Sequence, residues 1–156
     1  MSDIGLFWNS ELGAADFAVV QNDLATDDGL ETSVFLSLFT DRRADDNDVL
    51  PDGDTDRRGW WGDAVAVVEG DKHGSRLWLL ARSKQTQETI RRAEEYAREA
   101  LAWLVEDRVA ARVDVTAEVV RTGVLGLTVT IYRPRTDVTT YRYDFNWAAQ
   151  EAKRAA

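Results

Sequence analysis

The 156-residue chain carries 28 acidic and 19 basic side chains, a formal charge of −9 at pH 7, and no cysteine. The absence of thiols excludes disulfides, thiolate metal sites and cysteine nucleophiles, and the carboxylate excess repels phosphate backbones and argues against nucleic-acid binding. A chain of this length fits one domain, able to bury about 70 % of its unfolded surface without staples.

Residues 1–13 are expected to form a flexible end. MSDIGLFWNS has neither a basic n-region nor an apolar h-region, so no signal peptide is expected. No apolar run approaches the roughly 20 residues that span a bilayer. Ala14–Leu24, β-rich at FAVV, predicts one strand. Leu30, Val34 and Leu38 then recur at helical spacing, with Phe35 and Phe39 beside them. They predict a helix of about three turns ending near Asp41, capped by Thr26, Asp27 and Asp28. Residues 41–63 hold eight acidic and four basic residues with Pro51, Gly53, Gly59 and Gly62, a composition that opposes a strand or helix over most of that length. Within it TDRR at 55–58 repeats TDRR at 40–43, an echo to which no function is assigned. AVAVV at 64–68 is ambiguous, and GSRLWLLAR fits a buried strand or a short helix.

Thr86–Asp107 is the strongest helix, with Thr86 as N-cap, Glu88 at the positive end of the dipole, and Ile90, Ala93, Ala97, Ala100, Leu101 and Leu104 on one face. RSK at 82–84 and Arg91–Arg92 share this stretch with Glu88, Glu94, Glu95 and Glu99, which gives a solvated helix face rather than a basic patch. Alternation predicts strands at 112–120, 124–132 and 138–147, the first two joined at Arg121–Thr122–Gly123 and the second ended by Pro134. The tail at 148–156 is expected to be helical or frayed. The predicted fold is α+β, a small antiparallel sheet with helices packed on one face, in a single domain over 1–156.

Asp52, Asp54, Asp56 and Asp63 occupy positions one, three, five and twelve of an EF-hand window. Position six, where the loop needs glycine, is Arg57, and Arg58 follows it. Two cations among the ligands oppose calcium, and no metal site is predicted. His73, the one histidine, sits in a turn-like EGDKHGS, with no nucleophile elbow to supply a serine. Asp63 and Glu69 flank an apolar run, but neither is marked as the raised-pKa acid that glycoside hydrolysis requires. Gly123 and Gly126 do not precede a helix and form no phosphate loop. No catalytic residue and no cofactor is predicted. Trp60 and Trp61 remain: either one enters the core while the other faces a partner, or both cover the core.

GLETSVFLSLFTDRRA, GWWGD, GSRLWLLARSKQT, the long helix and YDFNW, in this order over about 14–147, resemble the Mu-like phage baseplate protein family. That family is similar to the gene product twenty-five wedge proteins of T-even phages and their type VI secretion counterparts. The resemblance implies a non-enzymatic component of a contractile-tail or tailocin baseplate wedge, in six copies. It would contact other wedge proteins, tail tube or hub proteins and the first sheath ring, without nucleic acid or membrane partners. Its place would be the virion tail, after assembly in the bacterial cytoplasm. The broader group has been labelled lysozyme-like, which these residues do not support; a tail-associated peptidoglycan hydrolase and a calcium-binding module are the alternatives. The residues expected to meet partners are Asp41, Arg42, Arg43, Arg57, Arg58, Trp60, Trp61, Thr140, Arg142 and Asp144. The tryptophans would fix the loop while its charges face other wedge subunits. By the same analogy the C-terminal strands would join strands of sheath subunits, with Thr139, Thr140, Arg142 and Asp144 keeping an outward face soluble beforehand.

Overall fold

The computed structural model describes residues 3–9, 14–20, 23–24, 26–27, 29–66, 70, 72–134 and 138–146. Asp28, Glu69, Trp147 and the tail at 148–156 lie outside the described residues. In the N-terminal part, β1 (Asp3–Ile4), β2 (Leu6–Asn9), β3 (Ala14–Phe17), β4 (Val19–Val20), β5 (Asp23–Leu24) and β6 (Thr26–Asp27) form three antiparallel pairs: β1 with β6, β2 with β3, and β4 with β5. The single strand expected over 14–24 is thus three pieces. Phe17 and Val19 are exposed, and each piece pairs only locally.

Within residues 3–9, read from sequence as part of a flexible end, Leu6 and Trp8 pack on the core. The Trp8 ring stacks on Phe39 at 4.7 Å with planes 8° apart and lies 5.8 Å from Phe35. Helix α1 (Leu30–Phe39) buries Leu30, Val34, Phe35 and Leu38, the stripe its spacing predicts. Its cap differs from expectation. Thr26 and Asp27 belong to β6, and the cap is Gly29 at φ 82°, with no side-chain hydrogen bond. A left-handed residue turns the chain from strand into helix in one step, and glycine does so without Cβ strain.

Between 41 and 63 the chain makes single 3₁₀ turns at Pro51–Gly53 and, running past its end, at Trp61–Val65; it is otherwise irregular, as its composition predicts. GSRLWLLAR resolves as a short helix of the 3₁₀ kind at Leu77–Leu80, with all four side chains buried. Helix α2 (Gln87–Ala100) starts where predicted, the Thr86 hydroxyl accepting the Thr89 N–H at 3.3 Å. It does not run on to Asp107. At Leu101 the bonding tightens, with Ala102 N–H donating to the Glu99 carbonyl and Leu104 N–H to the Leu101 carbonyl, before α3 (Trp103–Glu106) begins. Three-residue spacing rotates the side chains that follow, and the Trp103 indole donates to Ser37 Oγ on α1 at 3.0 Å.

Strands β7 (Arg112–Arg121), β8 (Val124–Tyr132) and β9 (Val138–Asn146) form an antiparallel meander in the order β7-β8-β9. Val115, Leu125, Leu127, Val129, Ile131, Tyr143 and Phe145 point into one core with α1 and α2, the one-sided α+β arrangement that was predicted. On the opposite face Glu118, Gly126 and Asp144 stand side by side. Arg142 reaches Glu118 at 2.8 Å and Asp144 at 3.2 Å. A Cβ on Gly126 would stand 2.9 Å from Asp144 Oδ1 and 3.1 Å from the Arg142 guanidinium, so the bare glycine leaves room for that pair.

The Tyr143 hydroxyl is buried with no hydrogen-bond partner among the described residues, and burial drives its pKa upward, with the Glu31 charge adding to the effect. An unsatisfied buried hydroxyl costs about 1 kcal/mol or more, so Tyr143→Phe is expected to raise stability in urea titrations by about 1 kcal/mol. The folded pKa is raised above the unfolded value of about 10, so the wild-type contribution is complete below that pH and is lost as pH rises above it. The variant is expected to show a correspondingly weaker alkaline loss. A variant less stable than wild type at neutral pH, with the same alkaline limb, refutes this.

Candidate functional site

The 41–63 loop is fastened at its start by a main-chain clamp. Asp41 and Ser75 form a parallel bridge in which Arg42 N–H donates to the Ser75 carbonyl at 3.0 Å and Ser75 N–H to the Thr40 carbonyl at 2.9 Å. The buried Ser75 hydroxyl donates to the Leu38 carbonyl and accepts Leu77 N–H at 3.2 Å, which ties the clamp to the end of α1. Gly74, at φ 94°, lies so close that a Cβ would overlap the Thr40 carbonyl oxygen.

Next to the clamp, Arg76 gathers three carboxylates. Its Nη1 lies 3.1 Å from Asp45 and 3.0 Å from Asp48, its Nε and Nη2 each 3.0 Å from Glu99, and its guanidinium 4.7 Å above the Tyr96 ring. Burial works against its charge, but the hydrogen bond to Asp48 and the fields of Glu99 and Asp48 outweigh that penalty and hold its proton more firmly than usual. Arg42 adds a second cation to Glu99 at 3.5 Å.

The two TDRR copies meet in space. Ala44 N–H donates to the Arg57 carbonyl at 2.9 Å and Arg43 to the Arg58 carbonyl at 3.4 Å, while Arg58 pairs with Asp41 at 2.7 Å. Arg58 holds φ 51° and lays its guanidinium 4.3 Å over the Trp78 ring, whose indole donates to the Arg42 carbonyl at 2.8 Å. Arg57 donates to the carbonyls of Asp45 and Asp46. Arg57 and Arg58 therefore turn inward and act as pins, while Arg43 stays exposed.

The tryptophans do the opposite. Trp60 is 42 % exposed and Trp61 78 % exposed, so neither enters the core and neither covers it. Trp60 rests against Trp61 at 5.4 Å and against His73 at 5.1 Å. The expected division of labour is reversed: charges anchor the loop and aromatics face outward. A charge with several hydrogen-bonding partners can be held near the surface at little cost, whereas the buried Leu77–Leu80 turn already supplies the core with four apolar side chains.

The aspartates of the EF-hand window are put to other uses. Asp54 accepts Thr55 and Asp56 N–H, Asp56 accepts Arg58 N–H, and Asp63 accepts His73 N–H at 3.0 Å. The Asp52 side chain lies outside the described residues. Among the described residues no group of three His, Asp or Glu side chains converges to hold a metal ion. Of the residues singled out from sequence, Asp41, Arg42, Arg43, Arg57 and Arg58 meet in this clasp, with Trp60 and Trp61 at its rim. Thr140, Arg142 and Asp144 form a separate group on β9. Sequence reasoning missed Asp48, Ser75, Arg76, Trp78 and Glu99. Only the Arg76–Tyr96–Glu99 grouping left a trace, as charged and aromatic residues beside apolar stretches.

The meander has two edges, and they differ. On β7 the Ala117 N–H donates to Glu94 at 3.1 Å and the Val115 carbonyl accepts from Arg98 at 3.2 Å, with Glu94 and Arg98 themselves paired at 2.8 Å on α2. That edge is covered. On β9 the Asp144 carbonyl accepts the Trp8 indole N–H. Thr140 and Arg142 share the outward parity of Asp144, and no described residue takes their main-chain groups.

Residues 30–138 match the family model described as Phage protein GP46. The chain belongs to the phage GP46 family. This GP46 chain is similar to baseplate protein gp46 of Escherichia phage Mu, 45 % identical over 143 residues, which is 92 % of this chain and 95 % of that protein. It is also similar to Mu-like prophage FluMu protein gp46 of Haemophilus influenzae, 36 % identical over 148 residues, 95 % of this chain and 99 % of the other. The resemblance to Mu-like proteins read from the sequence therefore holds. The GP46 match runs from α1 through the clasp, Arg76, α2, β7 and β8 to the first residue of β9.

Proposed function

We propose that this protein is a structural, non-enzymatic component of a phage tail baseplate. The observation that carries this reading is its 45 % identity, across nearly the full length of both chains, to a Mu protein named for the baseplate. The described geometry agrees with a scaffold. Loop carboxylates and guanidinia of the kind that catalysis would recruit are engaged in holding the loop. In finer detail, the protein sits in the wedge of a contractile tail in the virion, in several copies, six by analogy. There it touches other wedge proteins and tube or hub proteins, and it links the wedge to the first sheath ring.

The sheath contact falls to β9. Strand addition needs an edge with free main-chain donors and acceptors; Glu94 and Arg98 cover the β7 edge, which leaves Thr140 and Arg142 on β9. Proline at an outward-facing edge position removes a donor without breaking the inner ladder. Thr140→Pro is therefore expected to fold, to enter baseplates, and to lower the number of sheathed tails about tenfold, a loss on the order of 1.4 kcal/mol per contact. Sheath counts equal to wild type in electron micrographs would sink the β9 assignment. Quantitative mass spectrometry of purified tails tests the baseplate reading itself, which fails if the protein is absent from them.

A further inference from the structure

Between the Trp61–Val65 turn and the α1–α3 pair lies an open cleft of about 900 Å³ that borders the clasp at Arg42 and Trp60 and is separate from the β9 edge. Leu36 and Trp103 line one side, Trp60 and Ala66 the other. Leu36 and Trp60 are exposed enough to be reached by another chain. The charge along the cleft is one-sided. Its cations are already neutralised, Arg42 by Glu99 at 3.5 Å and Lys72 by Asp45 at 3.4 Å. Glu106 and Asp107 are exposed on the same rim, and neither forms an ion pair among the described residues. Asp63 gives one oxygen to His73 N–H and keeps the other.

A cleft of mixed polar and apolar lining, bounded by aromatic rings and unneutralised carboxylates, is complementary to one kind of occupant. Tryptophan faces attract guanidinium and ammonium groups as well as aliphatic side chains. Tryptophan, tyrosine and arginine are the side chains most enriched at binding hot spots, and hot spots tend to face one another across an interface. An acidic or phosphorylated segment would meet repulsion here, both from the rim and from the net charge of −9. We propose that this cleft receives a peptide segment of a neighbouring baseplate protein that carries arginine or lysine beside an apolar anchor, with the anchor between Trp60 and Trp103 and the cation at Glu106 and Asp107. This rests on the baseplate reading but not on the β9 edge.

The test uses the full chain. An acetylated, amidated Leu-Arg-Leu-Arg-Leu peptide is titrated against tryptophan fluorescence, with the Glu-for-Arg peptide as its counterpart, at low and high salt. The arginine peptide is expected to bind about tenfold more tightly than the glutamate peptide, with the difference shrinking as salt rises. Glu106→Lys combined with Asp107→Lys is expected to remove that preference. Trp60→Ala, at an exposed position, is expected to weaken binding while leaving the far-UV circular dichroism unchanged. The milder Glu106→Gln, which introduces no new charge, is expected to weaken arginine-peptide binding in part. In phage, the double reversal is expected to lower incorporation into tails about tenfold, and a photo-crosslinker at Leu36 in assembled tails is expected to capture a basic segment of a baseplate protein. Equal affinity for the two peptides, wild-type incorporation of the double variant, or a crosslink to an acidic segment would overturn the proposal. So would a peptidoglycan fragment that binds the cleft irrespective of the charge reversal. Absence of the wild-type protein from tails would defeat the baseplate reading instead, so the two failures are distinguishable.

Discussion

Replacing Arg76 with methionine is expected to destabilise the protein by about 3 kcal/mol, within the range for breaking a paired charge away from bulk water. The guanidinium has 15 % of its side-chain surface exposed and lies within 3.1 Å of Asp45, Asp48 and Glu99. Methionine matches much of its length and apolar stem, so the loss reports on charge more than on volume. Once the cation is gone, Asp48, itself only 15 % exposed, keeps the Asp45 N–H as a donor but loses its cation beside two other carboxylates. Arg76→Lys is expected to recover less than half of the loss, because an ammonium cannot present its protons to three carboxylates in a fixed plane. Urea unfolding followed by tryptophan fluorescence measures both variants. A loss below about 1 kcal/mol, the usual worth of an exposed pair, would mean that the cluster is merely solvated. Limited proteolysis adds a local readout, since Asp45 and Asp48 are the loop's side-chain link to Arg76, and cleavage between 45 and 58 should accelerate.

Gly74→Ala is expected to cost about as much, roughly 3 kcal/mol, from backbone strain plus overlap. Its φ of 94° is strained for any residue with a Cβ, and the new atom would overlap the Thr40 carbonyl oxygen and stand 2.9 Å from the carbonyl carbon and 3.1 Å from the Arg42 nitrogen. Those are backbone atoms of the clamp, and relieving the overlap means parting the Asp41–Ser75 bridge. Gly53→Ala is the control. Gly53 has φ 68° and nothing within 4 Å of the new Cβ, so only the conformational penalty of about 1 kcal/mol applies. Equal losses in the two variants would show that the clamp yields easily and that Thr40 and Ser75 do not hold the loop.

Much of the scaffold was legible because it rests on short-range periodicity. Val113, Val115 and Ala117 alternate with charged or hydroxylic neighbours, and Leu125, Leu127, Val129 and Ile131 continue the pattern, so two strands and the hairpin between them followed directly. Thr86 announced α2 because a hydroxyl at an N-cap satisfies a nearby N–H. The same logic overran at Leu101, where apolar spacing persists but the bonding tightens so that Trp103 can reach Ser37, 66 positions away. It also failed before α1, where Gly29 rather than a polar side chain makes the cap.

The loop was legible in outline only. Its composition showed that it was irregular and rich in charge, but charge of both signs in 23 positions is compatible with many pairings. What fixed the pairing lies elsewhere in the chain: Arg76 is 28 positions from Asp48 and 23 from Glu99, and the Trp78 indole is 36 from the Arg42 carbonyl. The sequence by itself determined a cysteine-free, acidic α+β domain of the Mu-like phage type, its three-stranded sheet and its main helix, because these follow from composition and from contacts a few residues apart. Only the tertiary structure decided that the arginines pin the loop, that Trp60 and Trp61 face outward, and that β9 carries the open edge. Those outcomes depend on which distant groups come together in the folded chain, and no local pattern records that.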